Sequence, residues 1–193
     1  MGKRKHLDKI EDLFKRSVVL DFKSIQRIIG VNGKNYAKLL INNLLKKGKI
    51  NRLAKGCYTS HNEISLTVFC FKPSYIGLQS ALSYHKLWDQ ATIPIILTTR
   101  KVRTGIRKVL GGNVYIRRLN KKKFFGFEYS KEGEYYLPYS DIEKTFIDMF
   151  LYRQKMSKET SLEIKKRIDR RKLKNYIKAY PKRFQKIVLK KLE

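Results

Sequence analysis

Asp21-Phe-Lys-Ser-Ile-Gln-Arg-Ile-Ile-Gly30, Val31-Asn-Gly-Lys-Asn-Tyr36, Ala37-Lys-Leu-Leu-Ile-Asn-Asn-Leu-Leu-Lys-Lys-Gly48 and Lys49-Ile-Asn-Arg-Leu-Ala-Lys-Gly-Cys-Tyr-Thr59 run without a break and decide the fold of the first third of the chain. Asp21 suits the N-cap of a short helix whose Phe22, Ile25, Ile28 and Ile29 fall on one face. Gly30 and Gly33 bracket a tight turn. In the next helix Ala37, Leu40, Ile41, Leu44 and Leu45 follow the i, i+3, i+4, i+7, i+8 rule, so they face inward, and Gly48 caps the end. Ile50 to Leu53 and Cys57 to Thr59 can pair as strands around Ala54-Lys55-Gly56. Helix, turn, helix and basic hairpin together spell a winged helix-turn-helix.

The inward set leaves Lys34, Asn35, Tyr36, Lys38, Asn42 and Asn43 outward. Lysine and asparagine near the start of such a helix suit phosphate contacts and adenine-edge readout in a major groove. Lys23 on the preceding helix, with Arg52 and Lys55 on the hairpin, can meet the phosphate backbone. The candidate DNA contacts are therefore Lys23, Lys34, Asn35, Tyr36, Lys38, Asn42, Arg52 and Lys55. An ordinary helical pair with a solvated lysine face is the competing reading, but the hairpin and the charge favour DNA.

Working outward, residues 6–16 read as a first helix with Leu7, Ile10, Leu13 and Phe14 in a stripe. Val18 to Leu20 can add a strand to the hairpin, which closes a domain over residues 1–62. Residues 63–193 read as a mixed α/β domain with C-terminal helices, giving an α+β chain overall. Its expected elements are a strand at Ile64 to Phe71, a helix at Tyr75 to Leu87, and strands at Ile93 to Thr99, Asn113 to Leu119, Phe124 to Tyr129 and Glu134 to Leu137. Asn120 to Lys123 is a basic turn. Ser140-Asp-Ile-Glu143 reads as a capping box, with Ser140 as N-cap of a helix from Ile142 to Tyr152. From Lys158 the chain is helical and basic, split by Pro181. Leu162, Ile164, Ile168, Leu173, Ile177, Phe184, Ile187 and Leu189 suggest packed helices rather than a free tail.

The 193 residues carry 45 Lys+Arg against 16 Asp+Glu, a formal charge of +29, yet 42% are hydrophobic and 12% aromatic. That is a folded chain, not a basic tail. Such a field draws polyanions and makes binding steeply salt-dependent. The charge is spread along the whole length, so it singles out no site, and a lysine-favouring organism, including a thermophile, accounts for part of it. No apolar run reaches the length of a membrane span and no secretory leader is legible, so a cytoplasmic protein is expected. Cys57 and Cys70 lack metal-ligand spacing and read as small buried thiols in a reducing compartment.

Pro73-Ser-Tyr-Ile76, Ser80-Ala-Leu-Ser-Tyr-His85 with Leu87, Ile93-Pro-Ile-Ile-Leu-Thr-Thr99, Phe125-Gly126 and Glu143-Lys-Thr-Phe-Ile-Asp148 come in an order that resembles the AbiEi antitoxin family. The resemblance covers roughly residues 7–152 and rests on several modest motifs in sequence, not on one specific signature. It implies two roles. The N-terminal domain would bind an operator and repress its own operon. The second domain would oppose a toxin similar to nucleotidyltransferases, without a stable complex. By position it carries Lys34, Asn35, Tyr36, Lys38, Asn42 and Arg52 over as DNA contacts, and it marks Ser80-Ala81-Leu82 and Glu143 to Asp148 as fold determinants. The basic C-terminus after Arg153 matches no landmark of the family.

Enzymatic readings find little support in the residues. Ile142-Glu143-Lys144 lacks the Glu-x-Lys half of a magnesium nuclease, and the pairs Glu132/Glu134 and Asp141/Glu143 have no properly spaced lysine on adjacent strands. His6, His61 and His85 are scattered, and His85 reads as a helix-end histidine satisfied by a backbone group. Gly105 and Gly111-Gly112 do not make a phosphate loop. Arg117-Arg118, Lys121 to Lys123 and Phe124-Phe125 set charge beside rings, as surfaces for single strands or structured RNA do, but the alternation favours core aromatics on strand positions with lysines in the turn. Lys165-Lys-Arg167 and Asp169-Arg-Arg-Lys172 could touch phosphates non-specifically. The expectation is a regulator with no catalytic role, no cofactor and no metal. Its partners are operator DNA and a nucleotidyltransferase-like toxin, with a nuclease or an RNA-binding protein as alternatives. Winged-helix regulators are often homodimers, but no heptad or self-complementary stripe is present.

Overall fold

The computed structural model describes residues 2–30 and 33–192, the side chains of residues 2–5 apart; Val31 and Asn32, in the expected turn, lie outside the described residues. The chain is of mixed α and β type, with N-terminal helices, then sheets, then C-terminal helices. It divides into two compact units, Met1–Cys70 with Arg107–Val114, and Phe71–Ile106 with Tyr115–Glu193.

The first unit holds helices α1 (Gly2–Arg16), α2 (Phe22–Ile29) and α3 (Lys34–Lys46) and a three-stranded antiparallel sheet. The sheet is built from β1 (Leu20–Asp21), β2 (Asn51–Ala54) and β3 (Cys57–Thr59), with β3 central. Leu20 pairs with Tyr58, and Arg52 pairs with Tyr58 from the other side. Asp21 caps α2, its carboxylate accepting from the Ser24 N–H at 2.7 Å. Gly48, at φ 65°, ends α3, as only a residue at home in the left-handed region does cheaply. The buried core is Ile10, Phe14, Leu20, Ile25, Leu40, Ile41, Leu44, Ile50 and Tyr58; of the inward set expected from spacing, Leu7, Leu13, Phe22, Ile28, Ile29 and Leu45 are only partly buried against it, and Leu20, Ile50 and Tyr58 join from the strands and their approach.

Two expectations for this unit fail. Ile64–Phe71 is a 3-10 helix, not a strand. Its β-branched and aromatic residues satisfy a strand pattern, but the segment is a strand of neither sheet. Cys57 and Cys70 are joined in a disulfide, with Cα atoms 5.8 Å apart, so the two-thiol reading is corrected. Spacing in sequence could not reveal this pair. The bond ties the hairpin strand β3 to the end of the 3-10 helix, and such bonds belong to oxidising compartments or to the cytosol of hyperthermophiles. Closing a loop of sequence separation 13 is worth roughly 3 kcal/mol by chain entropy. Reduction should therefore lower the denaturation midpoint of wild-type protein and leave Cys57→Ser unmoved; equal midpoints with and without reductant would contradict it.

A six-stranded sheet of order β6-β7-β5-β4-β9-β8 follows; its strands β5, β4, β9 and β8 and most of β7 belong to the second unit, while the segment Arg107–Val114 is counted with the first. The strands are β4 (Ser74–Ile76), β5 (Ile95–Thr98), β6 (Gly105–Val109), β7 (Gly112–Arg118), β8 (Phe127–Glu132) and β9 (Tyr135–Ser140). β5 runs parallel to β7 and antiparallel to β4, while β9 runs parallel to β4 and antiparallel to β8. Helices α4 (Gln79–Tyr84), α5 (Ile142–Leu151), α6 (Lys158–Arg167), α7 (Arg170–Ile177) and α8 (Lys182–Lys190) complete the unit. The expected helix from Tyr75 is wrong in its first part: Ser74, Tyr75 and Ile76 are a wholly buried strand, and helix begins only at Gln79. A fully buried strand shows no alternation to betray it. Strand β6 was not anticipated; its turn to β7 sets Leu110 and Gly111 at φ 49° and 79°, the backbone of a type I′ hairpin.

The capping box is also corrected. Ser140 still belongs to β9, paired with Phe127, and Asp141 is the N-cap of α5, accepting from the Lys144 N–H at 2.7 Å. Glu143 does not fold back on its own helix; it accepts from the Asp169 N–H at 2.8 Å, at the start of α7. Lys172 lies 3.1 Å from Asp141 and 3.3 Å from Glu143, so two carboxylates clasp α5 to α7. In the C-terminal helices Ile164, Ile168, Leu173 and Ile177 are buried, and Phe184 and Leu189 pack against the core, but Leu162 and Ile187 face solvent.

Candidate nucleic-acid interface

Helix α3 divides cleanly. Ala37, Leu40, Ile41 and Leu44 are buried, and Lys34, Asn35, Lys38, Asn42 and Asn43 are exposed. Lys34, Lys38 and Asn42 stand at i, i+4 and i+8, one above another along roughly 12 Å of helix. Gly33 is the N-cap and offers no side chain, so the first amides of α3 meet no side-chain acceptor among the described residues. A helix start with free amides beside Lys34 attracts an anion.

Tyr36 departs from expectation. It is half-buried against the helical core and meets the His6 ring edge-on at 5.9 Å, so its ring belongs mainly to the packing. Lys23 is exposed on α2, and Arg27, four residues on and also exposed, extends the same side of that helix. Arg27 was missed in the sequence; the i, i+4 spacing from Lys23 was the available signal. Arg52 is exposed on β2, with its guanidinium 5.8 Å from the centre of the Tyr58 ring, which holds it by a cation–π contact. Lys55 is exposed in the β2–β3 turn.

Electrostatics keep these cations available. The ion pairs of the unit, Lys15–Asp12 at 3.0 Å and Lys49–Glu11 at 2.6 Å, tie up cations near α1 and beyond the end of α3. None of Lys23, Lys34, Lys38, Arg52 and Lys55 carries an ion pair among the described residues. A cleft of about 440 Å³ lies on the other end of α3, floored by Phe14, Leu44 and Ile50 and bridged by the Lys49–Glu11 pair.

The second unit holds its polar residues differently. Lys144 and Asp148, one turn apart on α5, form a wholly buried ion pair. Tyr75 donates to the second Asp148 oxygen at 2.6 Å, and Lys144 donates to the Tyr180 hydroxyl at 3.2 Å. Burial pushes the Asp148 carboxyl up and the Lys144 ammonium down from their ordinary values, and each charge opposes the other's shift. Burial, reinforced by Asp148, likewise raises the Tyr75 hydroxyl. The His85 Nε2 sits 2.8 Å from the Ser140 carbonyl oxygen, the backbone partner expected for it. Among the described residues no three His, Cys, Asp or Glu side chains gather as a metal site would require. No helix among them is long and apolar enough to cross a membrane.

No protein-family model matches the sequence, and no curated protein matches it either. The fold is similar to that in the crystal structure of the RV2827C protein from Mycobacterium tuberculosis, with a TM-score of 0.60 and 12% identity over 95% of this chain and 74% of that one. At that identity the likeness is one of fold.

Proposed function

We propose that the chain is a DNA-binding transcriptional regulator, the antitoxin and operon autorepressor of a type IV system of AbiEi type. The observation that carries the reading is α3, which buries its apolar stripe and leaves Lys34, Asn35, Lys38 and Asn42 exposed and without ion pairs. In this reading α1 to α3 with the β2–β3 hairpin act as a winged helix-turn-helix. Helix α3 enters the major groove with its N-terminal turns. Lys34, Lys38, Lys23 and the α3 amides hold phosphates and fix register, and Asn35 and Asn42 read base edges. Arg52 and Lys55 of the hairpin grip the flanking backbone. The second unit acts by binding rather than by catalysis and opposes a nucleotidyltransferase-like toxin of the same operon, without a stable complex.

The decisive measurement is a mobility shift on the DNA upstream of the chain's own gene. A retarded complex should survive excess random-sequence competitor at physiological salt, because specific sites bind some 10³-fold or more above non-specific ones. Equal titration by random DNA would remove the regulatory reading. Preference for RNA over that duplex would replace it with an RNA-binding one, and metal-dependent loss of the probe with a nuclease.

A further inference from the structure

We propose that the cleft at the end of α3 is a binding site for a small uncharged molecule: two fused aromatic rings, or their size, with one hydroxyl or amide head. The cleft encloses about 440 Å³, and every residue lining it lies within Met1–Cys70 of the first unit. An apolar cavity of about 150 Å³ holds one benzene, and ligand pockets start at roughly 300 Å³, so there is room here for two rings and a head group. The floor is the Phe14 ring with Leu44 and Ile50, side chains that are otherwise buried, at 7%, 3% and 3% exposure. A ring laid on that floor takes its last apolar area out of water.

The rim selects the charge of the occupant. Glu11 and Lys15 stand one turn apart on α1, Lys49 follows α3, and Ser60 and His61 follow β3. Lys49 meets Glu11 at 2.6 Å across the cleft, and Lys15 meets Asp12 at 3.0 Å. Each rim cation thus has its own carboxylate, and the rim is neutral in a chain of +29. An anionic head would gain Lys49 and confront Glu11, and a cationic head would do the reverse. An uncharged head that both donates and accepts meets neither conflict. Lys49 spends one of its three N–H donors on Glu11 among the described residues, and the bond uses one Glu11 oxygen, so a hydroxyl or primary amide can bond to both partners without parting them. The Ser60 hydroxyl adds a further donor and acceptor at the mouth. The walls come from α1, the end of α3 and the approach to β2, and share no residue with the exposed Lys34, Asn35, Lys38 and Asn42.

The test is calorimetric titration of the full chain at neutral pH with 2-naphthol, beside 2-naphthoate and 2-naphthylmethylamine, which carry the same rings on an anionic or a cationic head. Salt at about 0.15 M screens the pull of a basic chain on any anion beyond about 8 Å. Wild-type chain should bind one 2-naphthol, and each charged probe about tenfold more weakly or worse. Ser60→Trp, at an exposed position, should close the mouth and abolish that binding. Glu11→Gln leaves Lys49 unbalanced and should raise 2-naphthoate affinity about tenfold, and Lys49→Met leaves Glu11 unbalanced and should do the same for 2-naphthylmethylamine. Lys49 and Glu11 are 55% and 42% exposed, so neither change threatens the fold. A wild type that does not bind 2-naphthol overturns the proposal, as does one that prefers a charged probe. Binding that survives Ser60→Trp, or charged-probe affinities that do not follow Glu11 and Lys49, would overturn it equally. None of these outcomes depends on whether α3 binds an operator.

Discussion

Lys144→Met should cost about 3–5 kcal/mol of stability, a large share of the roughly 5–15 kcal/mol that a domain has in total. Lys144 and Asp148 are both 0% exposed, so removing the ammonium leaves a buried carboxylate with the Tyr75 hydroxyl as its remaining side-chain donor among the described residues. Asp148→Leu should be comparably damaging, because it strands the ammonium beside the Tyr75 and Phe125 rings with the Tyr180 hydroxyl as its remaining partner among the described residues. Lys144→Met with Asp148→Leu should recover most of the loss. What persists is the unpaired Tyr75 hydroxyl, about 1–3 kcal/mol, and Tyr75→Phe should remove that too. Urea denaturation of the five chains, wild type, Lys144→Met, Asp148→Leu, their double and the double with Tyr75→Phe, measures all of this, and single-variant losses that simply add in the double would contradict a coupled pair.

The two single variants should also tilt oppositely with pH. Asp148 already has its carboxyl raised by burial, and loss of Lys144 removes the charge that opposes the rise. A group whose folded value lies above its unfolded value stabilises fully below the unfolded one and loses that contribution as pH rises. Lys144→Met should thus lie closer to wild type near pH 4 than near pH 7. Lys144 is shifted down by burial, so without Asp148 its cost is present at neutral pH and relieved as pH climbs toward the ordinary lysine value. Asp148→Leu should therefore approach wild type on the alkaline side.

What could be read in the sequence was local. The 3.6-residue spacing of Ala37, Leu40, Ile41 and Leu44, Asp21 before Phe22, and the glycines at 48 and 56 each act within a few residues of themselves, and each falls where spacing put it. The outward set on α3 followed by subtraction, Tyr36 excepted, because a ring at a helix boundary position can turn into the core. What could not be read was long-range. Tyr75 is a strand residue because β5 and β9 flank it, and its hydroxyl meets Asp148 from 73 residues away. Ile64–Phe71 has strand composition yet coils into a 3-10 helix outside both sheets. Glu143 caps a helix that begins 26 residues later, so a motif with capping-box spacing served a different partner. Lys166 pairs with Glu163, Arg167 donates to the His85 carbonyl and Lys172 joins the α5–α7 clasp, so the basic C-terminal runs are partly engaged within the fold.

Asn35→Ala and Lys38→Ala should separate base reading from charge at the α3 face. Both side chains are exposed, so neither change should alter stability by more than about 0.5 kcal/mol. An asparagine amide that bridges an adenine edge discriminates by about 1–3 kcal/mol, so Asn35→Ala should weaken operator binding by roughly 5- to 150-fold and leave random-sequence binding nearly unchanged. In the proposed complex Lys38→Ala and Arg52→Ala would remove phosphate contacts instead. They should weaken operator and random DNA together, and each should flatten the log–log salt slope by about 0.9. Fluorescence anisotropy across a salt series gives both quantities from one set of titrations. The contrast matters because a chain of +29 will bind any duplex at low salt, and affinity alone says nothing about a site. Equal losses on both DNAs for Asn35→Ala would mean that α3 lies against the backbone and reads no bases, whatever the affinity.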